Sequence, residues 1–232
     1  MATAPRNFDE NLYYHIYNCG VEKREIFLGK RDYYRLTDSI DFYLYDQRIN
    51  FASFQKLNKE AREVYLQANP RDLNTLRVKI IAYCFMPNHF HFLLKAAKVN
   101  GITKFISDIT NSYTRYFNIK NERIGGLLQG TFKTKEIASD ESLLQVTRYI
   151  HLNPVFSSKT NPKGILKPEN YIFSSYCGWI MKLNPKTFID QEGVAEWVRL
   201  AGGREKYQGF VESKIGKDPS VGIENFMIEK EL

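Results

Sequence analysis

Residues 84–94 read Cys84-Phe85-Met86-Pro87-Asn88-His89-Phe90-His91-Phe92-Leu93-Leu94 and hold two of the four histidines in the chain. Because side chains alternate between the two faces of a β-strand, we expect His89 and His91 to share one face while Phe90 and Phe92 enter a core. Two imidazoles about 7 Å apart at the backbone can converge on one metal ion. The alternative is a pair of surface-facing histidines on a half-buried strand, and the spacing alone leaves both interpretations open.

The elements around this stretch predict an α+β fold. Aromatic and β-branched runs predict strands, and apolar residues at helical spacing predict helices. The order strand, helix, strand, strand, helix, strand, helix predicts a ferredoxin-like (split βαβ) antiparallel sheet with helices packed on one face. The histidine strand would be central. The predicted strands are 11–18, 78–85, 89–94 and 131–138, and the predicted helices are Lys30 to about Asp46, Ile102–Phe117 and Ser139–Pro154.

The domain organisation follows from the same pattern. Residues 8–155 contain all of these elements and are predicted to form one domain. Residues 47–76 interrupt it with a charged segment, in which Leu57–Gln67 could be helical, and we interpret 47–76 as an insertion of unknown role. Residues 156–232 are predicted to be a C-terminal accessory extension.

Composition limits the class of protein. The 232 residues are 43% hydrophobic and 14% aromatic, which is enough for a packed core. We find no run of 18 apolar residues and no hydrophobic N-terminal signal region, so no membrane partner is expected. Three widely spaced cysteines argue against a disulfide framework or a cysteine zinc site. These features predict a cytoplasmic protein.

The net charge of +7 is concentrated in one block. Residues 95–167 contain 12 Lys/Arg and 5 Asp/Glu, and the block includes several aromatic residues. A basic, aromatic surface suits nucleic-acid backbone and bases, although a merely solvated basic face is the alternative. The DNA-contacting residues that we predict are Arg115, Lys120, Arg123, Gln129, Lys133, Lys135 and Arg148.

The last predicted helix carries a second polar pair. Tyr149 and Asn153 are one helical turn apart, so both side chains can address one point in space. His151 falls almost opposite Tyr149 and is interpreted as a packing or surface histidine. Geometry alone would also allow Tyr149 to be an ordinary, partly buried tyrosine. In the preceding helix, Tyr113 and Tyr116 lie on the apolar stripe and are expected in the core.

Three blocks in this order resemble a known family. They are Tyr14-His15-Ile16-Tyr17-Asn18-Cys19-Gly20, then Met86 to Leu94, then Tyr149-Ile150-His151-Leu152-Asn153-Pro154-Val155. The chain resembles the HUH-type single-tyrosine transposases, which have an IS200-like transposase domain, and most closely their REP-associated tyrosine transposase branch. The family pattern often has other residues at Cys19, Leu128 and Thr131, which bears on substrate choice.

The resemblance implies a metal-dependent endonuclease and strand transferase for single-stranded DNA, acting through a covalent 5′-phosphotyrosine beside hairpins. It assigns the nucleophile to Tyr149 and the metal ligands to His89, His91 and Asn153, with Mg²⁺ or Mn²⁺ as cofactor. Residues 8–155 would be the catalytic domain. The protein would act as a monomer or homodimer, in the cytoplasm and at the nucleoid when bound to DNA.

Two other classes of protein remain as alternatives. A ferredoxin-like sheet with exposed aromatic residues can bind nucleic acid without cutting it, although the chain lacks the Lys/Arg-Gly-Phe/Tyr signature of an RNA-recognition motif. A structural metal site on an inert domain is disfavoured because no set of four Cys/His ligands is visible.

Overall fold

A computed structural model describes residues 8–157, 160, 167–181 and 188–217 of the chain. Much of the predicted extension 156–232 therefore lies outside the described residues. In the part of the chain that is described, no helix is long and apolar enough to cross a membrane.

A four-stranded antiparallel sheet forms the centre of the fold. Its strands are β1 (Tyr13–Cys19), β2 (Val78–Met86), β3 (His89–Ala96) and β4 (Lys133–Ile137). They lie in the order β2-β3-β1-β4, so β3 separates β1 from β2 as a split βαβ arrangement requires. The predicted α+β, ferredoxin-like class is confirmed, and the histidine strand is one of the two central strands.

Two helices, α1 (Lys30–Tyr43) and α4 (Gly101–Lys120), cover the face of the sheet that carries Phe90 and Phe92. The ring of Phe92 lies 6.2 Å from that of Phe105 on α4. This face is the apolar core that the alternation in β3 predicted.

The helices that share one face, as predicted, are α1 and α4, whereas α5 (Asp140–Phe156) lies on the opposite face with the histidines. The physical reason is that the histidine face of β2 and β3 also carries buried apolar side chains. Cys84 and Leu93 face α5 and are fully buried, so that face also needs a cover.

The end of α5 also differs from the prediction. Ser139 caps the helix as expected, with its hydroxyl accepting a hydrogen bond from the Ser142 N–H. Pro154, however, lies inside the helix, which continues to Phe156. A proline in the last turn removes one backbone hydrogen bond without breaking the helix above it.

The segment 47–76 forms two short helices, α2 (Phe51–Lys56) and α3 (Lys59–Ala68), where one was predicted over Leu57–Gln67. Each begins at an asparagine cap, Asn50 or Asn58, whose side-chain oxygen accepts a backbone hydrogen bond. Extended backbone at Leu57 and the Asn58 cap separate the two helices. The pair packs on α1 through aromatic rings, with Phe42 4.9 Å from Phe54.

The described C-terminal residues add α6 (Tyr176–Ile180), α7 (Gln191–Leu200) and α8 (Arg204–Glu212). They cover the outer edge of β2, where Phe85 N–H donates to the Phe173 carbonyl. An edge strand with unpaired backbone groups is a site of unwanted strand pairing, and this segment closes it.

Candidate metal and tyrosine site

The antiparallel register brings polar side chains of three strands onto the face covered by α5. His89 lies opposite Cys19, His91 lies opposite Tyr17, and Tyr17 lies opposite Lys133. Directly paired residues point to the same face of a sheet. The histidine face therefore continues across β1 to the edge strand β4.

His89, His91 and Asn153 come together as the sequence predicted. The Nε2 atom of His89 is 3.1 Å from Oδ1 of Asn153, and the Nε2 atom of His91 is 3.3 Å from Nδ2 of the same amide. His91 is fully buried and Asn153 is 9% exposed. The alternative of two surface-facing histidines is therefore wrong for His91.

Each imidazole is also held from its other nitrogen. His89 Nδ1 is 2.8 Å from Oδ1 of Asn88, and His91 Nδ1 is 3.0 Å from Nε2 of His15. If each Nδ1 donates to its neighbour, each Nε2 presents its lone pair towards Asn153. This is how proteins orient histidine ligands of metals.

His15 is the residue of this cluster that sequence reasoning did not select. It is 2% exposed, and its ring stacks on that of His91 with centroids 5.1 Å apart. Alternation within β1 would place His15 and Tyr17 on one face. The contact with His91 depends on how β1 pairs with β3, which a single strand does not reveal.

Tyr149, which is on α5, lies beside the two histidines of β3. Its ring centroid is 5.4 Å from that of His91 and 6.1 Å from that of His15, with near-perpendicular planes. Asn153 follows one turn later, so the helix delivers both side chains to the same place. Tyr149 is 2% exposed, which means that a phosphate can reach the phenol only if its cover moves.

His151 takes no part in this site, as predicted. Its two ring nitrogens lie 2.7 Å from the Tyr207 hydroxyl and 2.8 Å from the Ser175 hydroxyl. Complete burial lowers the pKa of this imidazole to about 3. A neutral, fully bonded histidine joins α5 to the C-terminal helices.

The side chains present fit a divalent cation. Two imidazole nitrogens and one amide oxygen suit Mn²⁺ better than Mg²⁺, which prefers oxygen ligands. The Asn153 amide places its NH₂ donor near one imidazole and its oxygen acceptor near the other. It can therefore donate to the lone pair of only one of the two imidazole nitrogens. A cation between the three groups would match all of them. Among the described residues, no group of three or more His, Cys, Asp or Glu is arranged to hold a metal, so this site depends on the Asn153 amide.

The residues predicted to contact DNA lie in different parts of the fold. Lys133 and Lys135 lie on β4, on the histidine face of the sheet, and Gln129 accepts a hydrogen bond from the Cys19 thiol beside β3. Arg115 and Lys120 lie away from the site on α4.

Two further predicted cations are engaged within the protein. Arg123 lies over the ring of Phe117 at 5.8 Å. Arg148 is 6% exposed and lies 4.3 Å from the ring centroid of Phe210. The structure does not bring Arg148 to the exposed basic surface.

The two tyrosines of α4 are not part of the site. Tyr113 is buried, as expected, and its hydroxyl donates to the Ile26 carbonyl at 2.5 Å. Burial raises the pKa of Tyr113 far above its ordinary value, which makes its phenolate inaccessible. Tyr116 is half-buried at the edge of the core and bonds to Asp32.

The fold and the site define a class of protein. It is an α+β protein in which a histidine pair on the sheet lies beneath a helix that carries a tyrosine and an asparagine. Residues 52–153 match the family model described as "Transposase IS200 like". This match agrees with the resemblance that the sequence motifs carry.

Solved structures of other proteins resemble the chain at low sequence identity. The structure of a REP-associated tyrosine transposase bound to a REP hairpin is 14% identical, over 75% of this chain and 82% of that one, with a TM-score of 0.49. The tRNA(His) guanylyltransferase from Saccharomyces cerevisiae is 13% identical, over 93% and 82%, with a TM-score of 0.32. No curated protein matches the chain.

Proposed function

We propose that this protein is a metal-dependent endonuclease and strand transferase for single-stranded DNA, with Tyr149 as the nucleophile. The observation that carries the proposal is the convergence of His89 Nε2 and His91 Nε2 on the Asn153 amide, with the Tyr149 ring 5.4 Å from that of His91. The match to the transposase family model supports a DNA-processing reaction.

The side chains have separable roles in this proposal. His89, His91 and Asn153 would hold Mn²⁺ or Mg²⁺, which when bound supplies charge neutralisation at a non-bridging phosphate oxygen. Lys133 and Lys135 lie on the same face and would attract the strand electrostatically.

The reaction would conserve the phosphodiester bond energy. The Tyr149 oxygen attacks the scissile phosphorus, the bond from phosphorus to the 3′ oxygen breaks, and that oxygen leaves as a 3′-hydroxyl. The phenolic proton is lost and the downstream strand stays on Tyr149 through its 5′-phosphate. Attack by a 3′-hydroxyl of another strand reverses the step and joins the strands, so no nucleotide cofactor is needed.

The four side chains that form the site lie together within one chain, and the resemblance allows either a monomer or a homodimer with a shared site. A mixture of Tyr149→Phe and His91→Ala proteins tests this point. We expect no recovery of cleavage, whereas recovered cleavage would show that two chains build one site.

Hairpin-associated sites of the REP type are the substrate that the resemblance in the motifs favours. The protein would meet them in the cytoplasm, at the nucleoid. Residues 8–155 would supply the catalytic domain, and the residues after α5 support it by packing on β2.

The test uses hairpin oligonucleotides with single-stranded flanks, labelled at either end and incubated with protein and Mn²⁺ or Mg²⁺. A 3′ label should move with the protein on a denaturing gel, and a 5′ label should appear in a shorter free strand. Tyr149→Phe should abolish the adduct, and His89→Ala should abolish cleavage with Mn²⁺ and with Mg²⁺.

Two tyrosine controls sharpen the test. Tyr17 is the neighbour whose ring lies 6.0 Å from His91, and Tyr113 is buried in the opposite face. Both Tyr17→Phe and Tyr113→Phe should retain the adduct. An adduct that disappears in Tyr17→Phe but persists in Tyr149→Phe would overturn the assignment. Binding without cleavage across varied hairpins would favour the non-catalytic module, which the burial of Tyr149 would then explain.

A further inference from the structure

A second concave site lies on the other side of the sheet, between α1, α2 and α4. It is a cavity of about 620 Å³, a size that suits a nucleotide-sized ligand. Its wall from α2 belongs to the segment 47–76, for which the proposed function has no role. The side chains that the segment contributes include Asn50, Gln55 and Lys56.

The cavity is strongly basic. Arg31, Arg35, Lys56, Arg115 and Lys120 line it, against the single carboxylate of Asp108. That carboxylate is already bonded to Arg77 at 2.6 Å. Lys120 is likewise paired, with the buried carboxylate of Asp32, so the other four cations focus a positive potential into this concave surface.

Arg35 is the side chain that most directly indicates an anionic ligand. Its guanidinium lies 4.2 Å from the ring centroid of Phe51 and 5.4 Å from that of Tyr116. The Nη1 atom is buried and has no hydrogen-bond partner among the described residues. A buried donor without a partner is costly, and a phosphate oxygen would satisfy it. Burial lowers the pKa of this guanidinium, and an anion would offset that effect.

A second cavity lies next to this one, on the side towards the metal site. Asn111 lines both the basic cavity and a neighbouring one of about 420 Å³. The second cavity ends at Asn18 and Gly130, which are joined by a hydrogen bond. The next residue of β1, Cys19, lies opposite His89. A strand that follows the two cavities would therefore reach the histidine face around the end of the sheet.

We propose that the basic cavity between α1, α2 and α4 binds phosphate groups of the DNA strand, away from the bond that is cleaved. This inference rests on the proposed function, since it takes the same DNA as its ligand. Arg35 and Arg115 bind the phosphates, and the Tyr116 ring offers an apolar surface for a sugar or base. The segment 47–76 is the part of the chain that closes the cavity.

The test measures binding of a fluorescent hairpin oligonucleotide to full-length protein at several salt concentrations, without divalent cations so that no cleavage occurs. Arg35→Met keeps most of the apolar stem and removes the donors, and Arg115→Gln removes a cation at the exposed rim. Arg199→Gln, at an exposed position of α7, is the matched control for loss of one positive charge.

The double variant Arg35→Met/Arg115→Gln should bind about tenfold more weakly at 0.15 M salt. The slope of log Kd against log salt should fall by about 1.4, since each lost contact with a single strand removes about 0.7. If Arg35→Met fails to fold, Arg115→Gln alone should lower the slope by about 0.7. Affinities and slopes equal to those of Arg199→Gln would overturn the inference.

Two further measurements separate the possible failures. Titration with inorganic phosphate distinguishes a small-anion site: phosphate binding that needs Arg35, with unchanged DNA affinity in the variants, would overturn the role in DNA binding. The adduct assay distinguishes this inference from the proposed function. Adduct formation with no effect of the cavity variants on DNA affinity contradicts only the cavity, and cavity-dependent binding without an adduct contradicts only the catalytic role.

Discussion

The two faces of the sheet use alternate residues of the same strand for different purposes. Phe90 and Phe92 enter an apolar core beneath α1 and α4, whereas His89 and His91 meet a polar pair from α5. Phe90, Phe92 and His91 are buried and His89 is half-buried, so burial does not separate the two sets. The difference lies in what each side chain faces: rings and aliphatic groups on one side, and nitrogen, oxygen and phenol groups on the other. Because both sets of side chains belong to β3, this strand fixes the position of the site relative to the core.

The largest expected effect belongs to the histidine face. His91→Ala should reduce metal-dependent cleavage by about 10²–10³-fold or more, because it removes a ligand from a site with few of them. The circular dichroism spectrum should stay that of the folded protein. Cleavage within threefold of wild type would contradict the comparison between the faces.

The matching change on the other face should act on stability. Phe92 is fully buried, and Phe92→Ala should lower the free energy of unfolding by about 3–5 kcal/mol in urea denaturation. At a temperature where the variant is folded, its cleavage rate should be close to wild type. A large loss of rate in folded Phe92→Ala protein would show that the faces are not separable.

A smaller effect is expected for a residue that contacts a predicted metal ligand but would not itself bind the metal. His15 contacts His91 through the nitrogen remote from Asn153, so His15→Ala should weaken Mn²⁺ binding by about 10–100-fold. Calorimetry or electron paramagnetic resonance measures this without relying on cleavage. His15→Gln, which can still accept from His91, should restore part of the affinity. Equal losses in both variants would instead indicate a packing role.

The smallest effect concerns the core side, where Asp32 is buried at the start of α1. Burial alone would raise the pKa of this carboxyl, but hydrogen bonds from Lys120, the Leu28 N–H and Tyr116 outweigh it and lower the pKa. Asp32→Asn should reduce the free energy of unfolding by about 1–2 kcal/mol at pH 7.

The pH dependence of this effect has a definite sign. With a lowered pKa in the folded state, the unfolded chain binds more protons as pH falls below about 4. The stabilisation is therefore present above that pH and is lost below it. Urea denaturation at pH 7 and pH 3 should show the difference between wild type and Asp32→Asn shrinking at the lower pH. An unchanged difference would exclude the charged form as its source.

Much of the fold followed from local patterns in the sequence. Alternation in His89–Leu94 identified the strand and its two faces, and helical spacing placed Tyr149 and Asn153 together. The second apolar face of the sheet was missed because alternation marks which side chains share a face without showing what covers it. The position of α5 depends on burial of Cys84 and Leu93, which is a tertiary effect.

The parts of the site that were missed depend on contacts between distant segments. His15 reaches His91 only through the register of β1 and β3, and Arg35 meets Phe51 only because the segment 47–76 folds back on α1. Charge counting found Arg115 in the basic block but not Arg31 or Arg35, which lie outside it. It also selected Arg148, which packs on Phe210.

The most direct test of the account is to locate the covalent bond between protein and DNA. After incubation with Mn²⁺ and a hairpin oligonucleotide, the adduct would be digested with protease and nuclease and the modified peptide sequenced by mass spectrometry. The account predicts a phosphotyrosyl nucleotide on Tyr149, linked through a 5′-phosphate. A nucleotide on any other residue, or cleavage that leaves no protein-linked strand, would contradict it.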